Sequence, residues 1–123
     1  VLRVRADGVE FLAPNGAAIG VLPPEEFRDV LEEVETPLLP GDTLVFYSDG
    51  ITDATNAEGE QFGQERFLDI LLSAGSASAE VLTKQIGDAL ARFVGDAPQQ
   101  DDITLLVVSA KGETGCQASG QND

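Results

Sequence analysis

Apolar and charged residues alternate through Val1-Leu2-Arg3-Val4-Arg5, Asp7-Gly8 signals a turn, and Val9 to Leu12 is apolar again. A period of two around a tight turn predicts a β-hairpin with a primed turn. Asn15-Gly16, Gly20 and Pro23-Pro24 punctuate the loop that follows. From Glu25 to Glu35 the spacing of Phe27, Val30, Leu31 and Val34 suits a helix or a half-exposed strand. The alternation Val30, Val34, Leu38 and the stop at Thr36-Pro37 favour strand for the later part. Pro40-Gly41-Asp42 is a turn, Thr43 to Ser48 a buried strand, and Asn56 to Gly63 a loop. Two helical patterns come next. Gln64 to Ser73 carries Phe67, Leu68, Leu71 and Leu72, and Gly75 ends it. The second begins at a Ser76 or Ser78 cap and runs to about Val94, with Leu82, Ile86, Leu90 and Phe93 as its buried stripe. Gly87 interrupts it at a cost of about 1 kcal/mol against alanine, which points to a packing requirement. Ile103 to Val108 reads as a continuous apolar strand, and Lys111 to Asp123 as a polar disordered tail. The order β-β-(β)-β-α-α-β predicts an α+β domain over residues 1–110, with helices covering one face of a sheet.

Composition narrows the chemistry. The chain has 123 residues, room for one domain, and a net charge of −15. That charge excludes nucleic acid and anionic membrane surfaces as expected partners. No apolar run reaches the length of a membrane span. The single cysteine, Cys116, allows neither an internal disulfide nor a zinc cluster, which fits a cytoplasmic setting. There is no histidine, so Ser-His-Asp and Cys-His catalysis are excluded within the chain. A Gly-x-x-x-x-Gly-Lys phosphate loop is missing, and no arginine follows Cys116 to hold a phosphate. Carboxylates and metal remain as hydrolytic machinery. The chain also starts in mid-alternation without methionine, so it is expected to be a piece of a longer one.

Two segments supply carboxylates. In Thr43-Leu44-Val45-Phe46-Tyr47-Ser48-Asp49-Gly50-Ile51-Thr52-Asp53 an apolar run ends in Asp49 and Gly50, with Asp53 a little further on. In Asp101-Asp102-Ile103-Thr104 acids stand at the entrance to the last strand. Antiparallel neighbours would bring the end of one strand beside the start of the other. Asp49 and Asp101 can then share a hard divalent cation, while Gly50 permits a positive φ or a close approach. Asp-Gly at a strand end also marks ordinary turns, and that alternative stays open at this level.

These residues carry a resemblance. Tyr47-Ser48-Asp49-Gly50-Ile51-Thr52-Asp53-Ala54 and Gln100-Asp101-Asp102-Ile103-Thr104 resemble the two C-terminal motifs of metal-dependent PPM-type serine/threonine phosphatases, in the bacterial SpoIIE/RsbU branch. Asn15 to Pro23, Pro40-Gly41-Asp42 and Phe62-Gly63 add to it, and the resemblance spans roughly residues 1–110. It implies an α-β-β-α sandwich with two Mn²⁺ or Mg²⁺ ions and attack on a phosphoserine by a metal-activated water. Asp49 and Asp101 would be metal ligands. Asp53 would act behind them or on an additional ion, and Gly50, Thr52 and Asp102 would orient the turn and its waters. Relatives of this branch act on phosphorylated anti-sigma antagonists in partner switching, with sensory or receiver domains upstream.

The family's Gly-Gly-Asp segment and its Asp-x-x-Gly-His-Gly segment are missing, so the chain would hold only the C-terminal share of the ligands and be inactive alone. Three rivals follow. A haloacid-dehalogenase-like phosphatase needs a nucleophilic Asp where Tyr47 stands, and is set aside. The EF-hand loop pattern is missing, which sets aside that class of Ca²⁺ site. A catalytically inactive, phosphatase-like interaction module remains as the alternative. Arg66 and Arg92 are both expected on helix exteriors with little consequence.

Overall fold

A computed structural model describes residues 1–75, 77–99 and 101–111 of the chain. The expected hairpin forms from β1 (Leu2–Arg5) and β2 (Gly8–Phe11), with Arg5 opposite Gly8. Its turn is not a primed one. Primed turns need a positive φ in the loop, and neither Ala6 nor Asp7 has it; the positive φ, +153°, falls on Gly8 instead. Lacking a Gly or Asn between the strands, the chain puts the conformational demand on the first residue of β2.

The later part of the 25–38 segment is not a strand. Pro24–Val30 forms a helix, α1, with Pro24 in its first turn and Glu25 and Glu26 facing the positive end of its dipole. Residues 31–39 then run without regular structure, so the even-numbered valines mark no sheet face. Thr36 and Pro37 of this stretch accept from Arg3 and Arg5, which fastens it over the β1 side of the sheet.

β3 (Thr43–Tyr47) follows, then a short helix α2 (Asp49–Thr52), α3 (Gly63–Ala74), α4 (Ala79–Val94) and β4 (Leu105–Ser109). Ser78 caps α4, its Oγ accepting from the Val81 amide at 3.2 Å. The sheet has the order β2-β1-β3-β4, and every neighbouring pair is antiparallel. The helices cover one face only. Leu2, Val4 and Val45 on that face pack with Ile51, Phe62, Phe67, Leu71, Leu82, Ile86 and Leu90. Tyr47 tilts against Phe67 at 4.7 Å, and Phe62 meets Phe93 edge-on at 5.3 Å.

Over β3 and β4 the opposite face is apolar and open. Phe46 is 37% exposed, Leu106 56% and Val108 38%. The terminal strand therefore alternates in burial although its sequence does not alternate in polarity. Leu72, one of the apolar residues that mark α3 in the sequence, is 55% exposed, whereas Phe67 and Leu71 are fully buried. Gly87 has no packing requirement either: a Cβ built there meets no atom within 4 Å.

Candidate metal centre

The expected strand adjacency holds. β3 and β4 pair antiparallel from Thr43↔Ser109 to Tyr47↔Leu105. The contact continues past the last pair through Ser48, whose amide donates to Thr104 O at 3.0 Å. The Thr104 amide in turn donates to Ser48 Oγ at 3.0 Å. Ser48 was not singled out in the sequence, yet its hydroxyl stitches the two acidic segments together. A polar residue between the apolar run and Asp49 was the only signal.

Gly50 does not adopt a positive φ. Its role is the close approach: a Cβ on Gly50 would stand 2.0 Å from Asp102 O and 3.3 Å from Ile103 Cα. Only a residue without a side chain lets α2 lie this close to the 102–103 backbone.

Around this contact the acidic residues are arranged as follows. Asp49 opens α2 and is exposed. Thr52 Oγ1 donates to Asp49 O at 3.4 Å, and the Asp53 amide donates to the same oxygen at 2.8 Å. Asp53 is the exposed C-cap of α2. Asp101 is exposed; its Oδ1 accepts from the Asp102 amide at 2.8 Å, and its carbonyl accepts from Gln99 Nε2 at 2.9 Å. Asp53, Asp101 and Gly50 line one cavity of about 680 Å³ that reaches α4 at Gly87, Ala91 and Val94. The α4 wall was not foreseen; a glycine inside a strong helical pattern was its one trace.

The donor chemistry suits a hard divalent cation, since exposed carboxylates supply oxygen ligands and no basic side chain lines the cavity. The donor number does not. Among the described residues no group of three or more Asp, Glu, Cys or His side chains gathers closely enough to hold an ion. A divalent cation of this kind takes about six or more oxygens, so this chain contributes at most part of a coordination sphere.

Arg66 is more than a helix exterior. Its Nη1 donates to the carbonyls of Gln61 and Phe62 at 2.6 and 3.0 Å, and its guanidinium lies 4.5 Å from the centre of the Phe93 ring. It thereby ties the loop before α3 to the end of α4. Arg92 is exposed, as expected.

Antiparallel sheet and one helical layer make this an α+β domain, and it matches solved PP2C-type domains. The chain superposes on the SiaA PP2C domain of Pseudomonas aeruginosa with a TM-score of 0.73 and 28% identity, over 88% of this chain and 41% of that one. It matches the fold of the phosphatase domain of the cell fate determinant SpoIIE from Bacillus subtilis (Mn presoaked). There the TM-score is 0.61 at 22% identity, over 89% of this chain and 45% of that one. Residues 1–111 match the family described as Stage II sporulation protein E (SpoIIE), and the chain belongs to that family. It is also 31% identical over 109 residues to protein IcfG of Synechocystis sp., covering 88% of this chain and 16% of that protein. The chain thus spans less than half the length of each of these relatives. Among the described residues no helix is long and apolar enough to cross a membrane. The expected tail lies almost wholly outside the described residues.

Proposed function

We propose that this chain forms the C-terminal part of a Mn²⁺- or Mg²⁺-dependent protein serine/threonine phosphatase domain, in which Asp49 and Asp101 are metal ligands. The observation that supports it most is the Ser48–Thr104 and Gly50–Asp102 contact. It brings the acidic end of β3 to the acidic approach of β4 within a family of phosphatase domains. When bound, such an ion polarises phosphoryl oxygens and lowers the pKa of water. The chain's own residues hold the backbone that carries the carboxylates. Thr52 and the Asp53 amide fix the Asp49 carbonyl, Asp102 docks against Gly50, and the Asp53 side chain faces the cavity that Asp101 shares. The missing ligands would come from polypeptide beyond this chain. The substrate would be a phosphorylated protein, of the anti-sigma antagonist type, reached in the cytoplasm under control of an upstream sensory or receiver domain.

A second reading is supported by the incomplete ligand set: a phosphatase-like module that docks a partner without turning it over. Mn²⁺-dependent release of phosphate from a phosphoserine protein by the full-length protein separates the two. Turnover lost in Asp49→Asn and in Asp101→Asn supports the enzyme. Undiminished turnover in either variant removes the ligand assignment.

A further inference from the structure

The cavity beside Asp101 has two chemical characters. Its α4 side is built from Gly87, Ala91 and Val94, and Ile103 extends the same apolar surface. Its acidic residues are Asp53 and Asp101, and neither Lys nor Arg lines it. Glycine is the poorest helix former after proline, yet Gly87 stands inside α4 with open space where its Cβ would be. The open space at its Cβ position borders the cavity that Gly87 lines. At about 680 Å³ it lies within the usual span of sites that enclose a ligand, about 300–1,000 Å³.

We infer that this cavity seats an apolar side chain of the phosphoprotein substrate, with a basic neighbour, close to the phosphorylated residue. The inference rests on the phosphatase reading and names the feature of the substrate which that site selects. Three observations favour this occupant. The apolar wall and the carboxylate Asp101 belong to one continuous cavity, so one short segment reaches both. Asp53, the acidic residue of the wall that the phosphatase reading does not place on the ion, has neither Lys nor Arg beside it in the cavity, which suits a Lys or Arg next to the apolar residue. The chain as a whole carries 22 acidic residues against 7 basic ones, which repels an acidic segment and attracts a basic one.

The test is fluorescence anisotropy with the full-length protein and two labelled phosphoserine peptides, one carrying Leu-Arg after the phosphoserine and one carrying Gly-Gly. Each is titrated with and without Mn²⁺. The Leu-Arg peptide should bind more tightly, and Gly87→Leu, which fills the cavity, should weaken it about tenfold, the worth of one buried apolar side chain. Gln85→Leu, on an exposed part of α4 outside the cavity wall, should leave binding unchanged. Gly87→Leu should melt no lower than the parent, which separates blocking from misfolding. Equal binding of the two peptides, no binding of either, or indifference to Gly87→Leu overturns the inference. Discrimination between the peptides that persists without any Mn²⁺-dependent gain for phosphoserine supports the cavity and counts against the phosphatase reading alone.

Discussion

Gly50 and Asp102 stand so close that any side chain on the first would collide with the backbone of the second: the Cβ position is 2.0 Å from the carbonyl oxygen. The obstacle is main chain that already belongs to the β3–β4 junction, so it has little freedom to move. Gly50→Ala should therefore destabilise the fold by about 1–3 kcal/mol, the usual penalty of overpacking, although alanine is the better helix former. Urea unfolding measures it. A midpoint equal to the parent's would mean that the two segments are not held together here, and the case for neighbouring carboxylates would weaken with it.

Asp49 and Asp101 are exposed, and neither holds up the core. Replacing either by asparagine should change stability by less than about 0.5 kcal/mol, as for most surface positions. In the full-length protein the same changes should abolish Mn²⁺-dependent dephosphorylation. The pairing of intact melting with lost turnover is what ligands show; loss of both together would recast these aspartates as structural.

The ion pair away from the site sets a pH dependence. Asp42 is 4% exposed; its Oδ1 accepts from Arg5 Nε at 3.0 Å and its Oδ2 from the Leu39 amide at 2.9 Å. The Arg5 hydrogen bond is the largest influence, and it holds the Asp42 carboxyl below its ordinary value against the opposing effect of burial. A depressed folded pKa means that the unfolded chain binds the proton first. The stabilisation is then complete above the unfolded value of about 3.9 and is lost as pH falls through the lower folded value. Denaturation midpoints followed from pH 6 downward should fall less steeply in Asp42→Asn than in the parent. Parallel curves would show that the pair contributes no acid sensitivity.

The hairpin, β3, α3, α4 and the antiparallel meeting of β3 with β4 were legible because each carries a clean period or a cap, such as Ser78. The carboxylate segments were legible for the same reason, as polar interruptions at strand ends. Elsewhere local pattern lost to context. Val30, Val34 and Leu38 alternate, but Pro24 and two early glutamates start a helix and no neighbouring strand accepts the rest. Ile103 to Val108 is apolar throughout, and only the tertiary arrangement shows that helices cover a single face. The Gly50–Asp102 approach joins residues far apart in the chain, which no local period encodes.

Arg66 illustrates the same gap, since a charged residue on an amphipathic helix ordinarily means solvent. Here it bridges two carbonyls and a ring. Charged hydrogen bonds are worth about 1.5–3 kcal/mol each and exposed cation–π contacts about 0.5–1, with solvent reducing both at this exposed position. Arg66→Ala should then destabilise by about 1–2 kcal/mol, while exposed Arg92→Ala should stay within about 0.5. Thermal melting of the two variants side by side distinguishes them, and equal small effects would return Arg66 to the helix exterior.

Phe46, Leu106 and Val108 form an apolar strip on the face that the helices leave open. Contiguous exposed apolar surface of this kind drives association, with itself when no other cover is present. The isolated chain should therefore self-associate as its concentration rises, and more so at high salt, where the repulsion from a charge of −15 is screened. Phe46→Ser together with Leu106→Ser should reduce that tendency without touching Asp49 or Asp101. Sedimentation velocity at two salt concentrations reads the effect. A parent chain that stays monomeric in both would show that the open face is not sticky enough to need a partner.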